Sequence, residues 1–272
     1  MNMPLKNLMV HLDQCERSAV RLDLAISLAR RHQARLVGVF GQRAHARQVG
    51  VVASWPSQEY VAARDASKAA FEKATAGLPE AEWRDINRGS DAEVVRHIIN
   101  LARHADLVLL GQHDDRIKAC VPEELAMEVI LDCGRPVLIL PYAGDFSEVG
   151  RHPLIAWSDA REAAHALNDA LPLIGGCDEA MVLSFSAHHA EGDASCAEVA
   201  RHLATHGIKA RTEVMLVQDF GIMDMLLNRV TDRGADLLVM GAHGQLGFPF
   251  FSGGAGTRYI LKHMTVPVLM SN

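Results

Sequence analysis

Short, continuous runs of valine, leucine and isoleucine alternate along this chain with longer stretches whose apolar residues recur every three or four positions. In the first half the runs are LMV (8–10), LVGVF (36–40), VLLG (108–111) and VLIL (137–140). Between them lie SAVRLDLAISLARRH (18–32) and DAEVVRHIINLARHA (91–105), both with helical spacing. Continuous apolar strands separated by amphipathic helices predict a parallel sheet covered on both faces. A ligand of such a sheet sits at the carboxyl ends of the strands, near the switch in strand order.

The pattern occurs twice. DLVLLGQHD (106–114) and DLLVMGAHG (236–244) share four of nine residues at an offset of 130, and GRPVLILPY (134–142) is answered by TVPVLMSN (265–272). Near the start of each half, LMVHLD (8–13) answers LIAWSD (154–159), and RLVGVF (35–40) is matched by MVLSF (181–185). One unit of roughly 140 residues is therefore made twice. The expected domains are 1–143 and 151–272, joined by a linker at 144–150.

Composition narrows the class. The chain has 272 residues, 49% of them hydrophobic and 22% charged, as in a globular protein. No apolar run approaches the ~20 residues of a membrane helix, and MNMPLKNLMVHLD lacks a leader pattern, so the expected location is the cytoplasm. The five cysteines are scattered without a CxxC, which fits reduced thiols rather than a disulfide framework or zinc site. Residues 1–143 carry 18 basic and 18 acidic residues, and 144–272 carry 9 and 15. That balance shows no basic face for nucleic acid.

The candidate chemistry lies in GAHGQLGFPFFSGGAGTR (241–258), which has six glycines and no formal charge before its final arginine. It leaves a predicted strand (237–240) and enters a helix predicted to start near Thr257. Glycines let a ligand approach the backbone, and the unpaired N–H groups of a helix N-terminus hold phosphate without lysine. No GK[ST] follows, and there is no GxGxxG after a first strand, so the loop belongs to neither of those classes.

Gly241-x2-Gly244-x9-Gly254 resembles the nucleotide loop of the universal stress protein family, whose pattern is G-x2-G-x9-G followed by Ser or Thr. The flanks MGAHG and GGAGTRYILKHMTVPVLMSN agree, and the repeat makes the chain similar to tandem members. The resemblance implies two doubly wound, Rossmann-like α/β domains packed as an internal pseudo-dimer, with the last strands (VPVLM and RPVLIL) meeting. It implies ATP phosphates at Gly241, His243, Gly244 and Gly254, with the adenosine near Ser158 or Asp159 and near Met240. Magnesium is expected only as the companion of the nucleotide.

Two departures stand out. Ala255 occupies the position of the family's hydroxyl, with Thr257 two residues later as a substitute, and SGGAGTR is one residue longer than the ending of tandem members. The first copy departs entirely: Asp114 stands where the second has Gly244, and DDRIKACVPEEL (114–125) replaces the glycine-rich segment. Carboxylates at 114 and 115 would repel phosphate. The first unit is therefore expected to be structural or partner-binding, with Asp13 at its first strand end having little to work with.

Other candidates carry less. His243 mirrors His113 of the copy without the loop, so packing and ligand contact are equally open. Asp159 is expected to cap the following helix, to contact ligand, or to do both. The spacing His188-His189-x3-Asp193-x2-Cys196 fits no tight metal geometry, and Cys133 and Cys177 are expected to pack. Phe248, Phe250 and Phe251 suit burial, self-association, a partner surface or closure over a base. No catalytic constellation is visible. The expected function is regulatory binding of an adenine nucleotide, ATP foremost, in the second domain without rapid turnover. The alternative is a scaffold acting through protein contacts, and a third class, an ATP-hydrolysing or adenylate-forming enzyme, would need a base and a magnesium ligand. Further homodimerisation is left open.

Overall fold

The computed structural model describes residues 4–43, 47–49, 52–54, 56–86, 90–114, 120–216, 221–242 and 254–272. Two compact units divide the chain, with bodies Leu5–Arg135 and Pro136–Asn272.

The first unit runs β1 (Asn7–Leu12), α1 (Arg17–His32), β2 (Arg35–Phe40), a small hairpin of β3 (Arg47–Val49) and β4 (Val52–Ser54), α2 (Gln58–Thr75), β5 (Ala81–Asp85), α3 (Asp91–Ala102), β6 (Leu107–Gly111) and α4 (Leu125–Asp132). Its main sheet has the order β6-β1-β2-β5, with each neighbouring pair parallel. The chain steps from β1 to β2 on one side and returns to β6 on the other, so the switch point lies between β1 and β6. α3 starts at a capping box in which Ser90 and Glu93 satisfy each other's backbone N–H groups.

The second unit repeats the order without the hairpin. It holds β7 (Val137–Leu140), β8 (Pro153–Trp157), α5 (Arg161–Ile174), β9 (Ala180–Ser186), α6 (His189–Thr205), β10 (Ala210–Leu216), α7 (Ile222–Asp232), β11 (Leu237–Gly241), α8 (Ala255–His263) and β12 (Val268–Ser271). The strand order is β10-β9-β8-β11-β12-β7. All neighbours are parallel except β12 and β7, which run antiparallel with Val268 opposite Ile139 and Met270 opposite Val137.

The two proline-led last strands thus meet, as the resemblance implies. The pairing also moves a boundary. The first domain was expected to extend to 143, but β7 is hydrogen-bonded to β12 and packs with the second unit, so the compact body changes at Pro136. The expected linker, 144–150, falls inside a stretch (141–152) without helix or strand.

The aspartate shared by the two copies has a structural task. Asp106 accepts hydrogen bonds from the backbone N–H groups of Lys6 and Asn7 at 2.7 and 2.9 Å. Asp236 accepts from Arg151 and His152 at 2.8 and 2.9 Å. In each unit a carboxylate before the fourth parallel strand ties down the start of the first, satisfying two donors at the sheet's lower edge.

The cores are the apolar runs themselves. Leu8, Val10, Leu36, Val39, Val108, Leu109 and Leu110 are fully buried in the first unit, and Leu154, Val182, Leu183, Leu238, Val239 and Leu269 in the second. Both faces of each central strand are covered, which is why these strands read as unbroken apolar segments rather than alternating ones.

Candidate functional site

In the second unit β8 and β11 are neighbours, with Met240 opposite Ala156. Their carboxyl ends therefore place Ser158 and Asp159 beside Gly241. Asp159 is exposed, and its Oδ1 accepts a 2.5 Å hydrogen bond from the Ser195 hydroxyl of α6. Ser195 in turn accepts from the indole N–H of Trp157 at 2.8 Å. This relay anchors the β8–α5 turn to α6, and no basic side chain pairs with Asp159 among the described residues. Asp159 does not cap α5: the N-cap is Ala160, which makes no side-chain cap bond, so that expectation is corrected. The serine of α6 takes the carboxylate instead.

Gly241 is a glycine for steric reasons. A Cβ there would lie 2.6 Å from the backbone nitrogen of Ala163 and 2.6 Å from the carbonyl carbon of Glu162. The first turn of α5 therefore rests directly on the end of β11, at a spacing no other residue allows. Met240 is enclosed in the sheet at 1% exposure.

On the far side of the glycine-rich segment, α8 starts at Gly254, whose φ of 78° is left-handed and suits glycine. The first turn holds no acidic residue and no side-chain cap, so the partial positive charge of this N-terminus is not neutralised from within the helix. Ala255 is exposed, whereas Thr257, the expected substitute hydroxyl, is buried. The helix starts two residues earlier than expected. His243, Gly244 and Phe248–Phe251 lie outside the described residues.

The matching place in the first unit is filled by the chain itself. Asp13, at the end of β1, accepts a 2.6 Å ion pair from Arg21 of α1, and both side chains are 5% exposed. The Arg21 Nε–H donates to the His11 carbonyl at 3.1 Å. Asp13 Oδ1 accepts from the Cys15 N–H at 2.7 Å and from the Ser18 hydroxyl at 3.1 Å. The guanidinium lies against Gly111, where a Cβ would come within 2.4 Å of its Nη1. Asp13 thus has a cation, which sequence reasoning missed. The signal was present, because Arg21 precedes Ala25 by four positions and Leu28 by seven, on the apolar stripe of α1.

Electrostatics follow from this burial. Desolvation pushes the Asp13 carboxyl up, but Arg21, His11 and the Cys15 N–H outweigh it and hold it below the usual range. Burial, helped by Arg21 and opposed by Asp13 and the Gly41 carbonyl, holds His11 below its ordinary value. Its Nε2–H donates to the Gly41 carbonyl at 2.7 Å.

A lowered histidine makes folding favour the unprotonated form. Its contribution is complete above the unfolded value near 6.5 and is lost as pH falls below it. The stability advantage of wild type over His11→Gln should therefore be larger at pH 7.5 than at pH 5, as read by urea unfolding at the two pH values.

The remaining candidates are ordinary. Cys196 is buried, and burial pushes its thiol up to about 11. His189 and Asp193 face each other at 3.5 Å on the exposed surface of α6. Burial raises Cys133 and Cys177 as well, in keeping with packing roles. A cavity of about 440 Å³ lies between α1 and α2, walled by Ala63, Ala66 and Ala70, with Asp13 and Ser18 already bonded at its polar end.

Comparisons with known proteins agree with this geometry. The profile described as the Universal stress protein family matches residues 160–272. The match covers most of the second unit. Over its full length the chain has the fold of a two-domain universal stress protein. A universal stress protein from Archaeoglobus fulgidus DSM 4304 superposes with a TM-score of 0.67 at 15% identity, covering 98% of both chains. A protein of unknown function from Pseudomonas aeruginosa PAO1 gives 0.60 at 13% identity, covering 98% of this chain and 92% of that one. A shorter universal stress protein from Archaeoglobus fulgidus, solved in complex with dAMP, covers 49% of this chain and 96% of its own, with 17% identity and a TM-score of 0.35. No curated protein matches the chain. No helix among the described residues is long and apolar enough to cross a membrane.

Within this chain, therefore, the carboxyl ends of the two first strands have opposite characters. Position 167 of α5, which matches Arg21 through the alignment of LIAWSD with LMVHLD, is a buried leucine. The second unit keeps its acidic residue exposed and, among the described residues, without a cation, and the first neutralises its own internally.

Proposed function

We propose that the second unit binds an adenine nucleotide, ATP foremost, at the carboxyl ends of β8 and β11, as a regulatory state in a stress-response protein. The observation that carries this reading is the start of α8. A left-handed Gly254 opens a helix with no acidic first turn and no side-chain cap, directly after a glycine-rich segment leaving β11. Backbone N–H groups and helix dipole so arranged suit phosphate. Asp159, exposed on the neighbouring strand end, suits the hydroxyls of a ribose. The residues present fit a nucleotide, and magnesium would arrive with its phosphates.

The first unit takes no nucleotide, because Arg21 and Asp13 occupy each other and Asp114 replaces the glycine. The protein is not an enzyme on this reading. No residue is assigned as a base for hydrolysis, and ligand occupancy rather than turnover would carry the signal, in the cytoplasm, to a protein partner.

Freshly purified protein, denatured and analysed by mass spectrometry, should release ATP or ADP at near one per chain. Gly244→Asp, which copies Asp114 into the second unit, should release less than a tenth of that. No nucleotide from either protein, with no uptake on adding ATP, would sink the reading and favour the scaffold alternative.

A further inference from the structure

The segment that replaces the glycine-rich loop in the first unit brings a thiol to the end of β1. Cys120 Sγ lies 3.0 Å from Cys15 Sγ, across 105 residues of chain. Each cysteine is held by its backbone independently of the sulfur. The Cys15 N–H is bonded to Asp13 Oδ1 at 2.7 Å, and the Cys120 carbonyl accepts from the Arg43 N–H at 2.6 Å. Arg43 follows the end of β2, and the neighbouring Gln42 is bonded to Gln14. The two sulfurs are therefore brought together by the strand ends of one unit.

We propose that Cys15 and Cys120 form a redox-active dithiol, a site that a hydroperoxide oxidises to an intrachain disulfide. The separation lies well inside ordinary sulfur contact, and a short sulfur shift reaches the ~2.05 Å bond. A metal suits the pair less. Two thiolates on a tetrahedral ion at ~2.3 Å stand farther apart than these sulfurs. The third nearby group, Asp13, also has both oxygens committed, to Arg21 on one side and to Cys15 N–H and Ser18 on the other.

The local chemistry favours the first step. The hydrogen bond with Cys15 lowers the Cys120 thiol, against desolvation, while the same bond raises Cys15. One thiolate is thus accessible to the pair, and the second proton is retained. Cys120 is buried and Cys15 half-buried, so a small oxidant enters from the Cys15 side.

The thiolate attacks one peroxide oxygen, breaking the O–O bond, and becomes a sulfenic acid as hydroxide leaves and takes a proton. The second sulfur attacks the sulfenic sulfur, forming the S–S bond and expelling the hydroxyl, which leaves as water with the remaining proton. Two electrons pass from the pair to peroxide, and two thiols and one H2O2 become one disulfide and two waters. A dithiol reductant reverses it. The site is distinct from the nucleotide reading and does not depend on it.

The test uses the full chain, which has five free cysteines. After brief exposure to equimolar H2O2, denaturation and trapping with N-ethylmaleimide, the labelled thiols should fall from five to three. The intact mass should drop by two hydrogens, with a Cys15–Cys120 linked peptide on digestion, and dithiothreitol should restore five thiols. Loss of the pair should outpace loss of Cys133 at least tenfold. Cys15→Ser and Cys120→Ser should each abolish the species, and Cys196→Ser should leave it intact. Retention of all five thiols, addition of oxygen to separate sulfurs, or a link to any other cysteine would overturn the proposal, and the wild-type result decides even if a variant folds poorly. Tight Zn²⁺ binding that persists while the thiols resist peroxide would overturn it too.

Discussion

Arg21→Ala destabilises the first unit by about 3–5 kcal/mol, the usual consequence of leaving one member of a buried ion pair without its partner. The Asp13 carboxylate is almost fully buried, so water cannot replace the guanidinium. The loss also opens the space against Gly111 that the side chain occupies. Guanidinium unfolding followed by tryptophan fluorescence in a Trp157→Phe background, which leaves Trp55 and Trp83, reads the effect within this unit, and the thermal midpoint should fall by roughly 10 °C. The double variant Arg21→Leu with Asp13→Asn should recover more than half of the loss, since removing both charges spares the uncompensated one. A cost below about 1 kcal/mol for Arg21→Ala would mean that the pair is effectively solvated.

Gly241→Ala gives the second large effect, and in the other unit. The added carbon meets backbone atoms of α5 at 2.6 Å rather than the movable end of a side chain, so helix and strand must separate. Overpacking of this kind costs about 1–3 kcal/mol. Separation also shifts the turn carrying Asp159, so the variant should lose ATP binding together with stability. A variant that binds ATP normally while unfolding at the wild-type midpoint would show that α5 yields freely. The steric role of Gly241 holds whether or not a nucleotide is present, and Gly111 serves similarly beside Arg21.

Much of the fold was legible because buried parallel strands are continuous apolar runs. LMV, LVGVF, VLLG and VLIL all lie within or across observed strands, and the repeat located their partners. Strands β5 and β10, AEWRD and ARTEVML, escaped this reading. They are the outer parallel strands, with mostly exposed or half-buried side chains, so charged residues interrupt the apolar signal. The meeting of the two PVL strands was legible through the family resemblance, but the allegiance of β7 was not, because a strand's own sequence does not say which neighbour dominates its packing.

The candidate site was read unevenly. Asp13 and Asp159 were found through the aligned first strands, yet their opposite environments depend on residues elsewhere, Arg21 in one unit and Ser195 in the other. The Cys15–Cys120 approach joins positions 105 residues apart and leaves no local pattern. Ala255, read as a missing hydroxyl, turns out to be the exposed first residue of α8, where backbone N–H groups matter more than the side chain.

On the proposed function, two copies of one fold have diverged, one keeping a nucleotide site and the other filling it from within. Equilibrium dialysis of the full chain, freed of bound nucleotide, against radiolabelled ATP with Mg²⁺ tests this most directly. Saturation at one ATP per chain is expected, abolished by Gly244→Asp and unchanged by Asp114→Gly. Saturation at two per chain, or binding that survives Gly244→Asp, would contradict it.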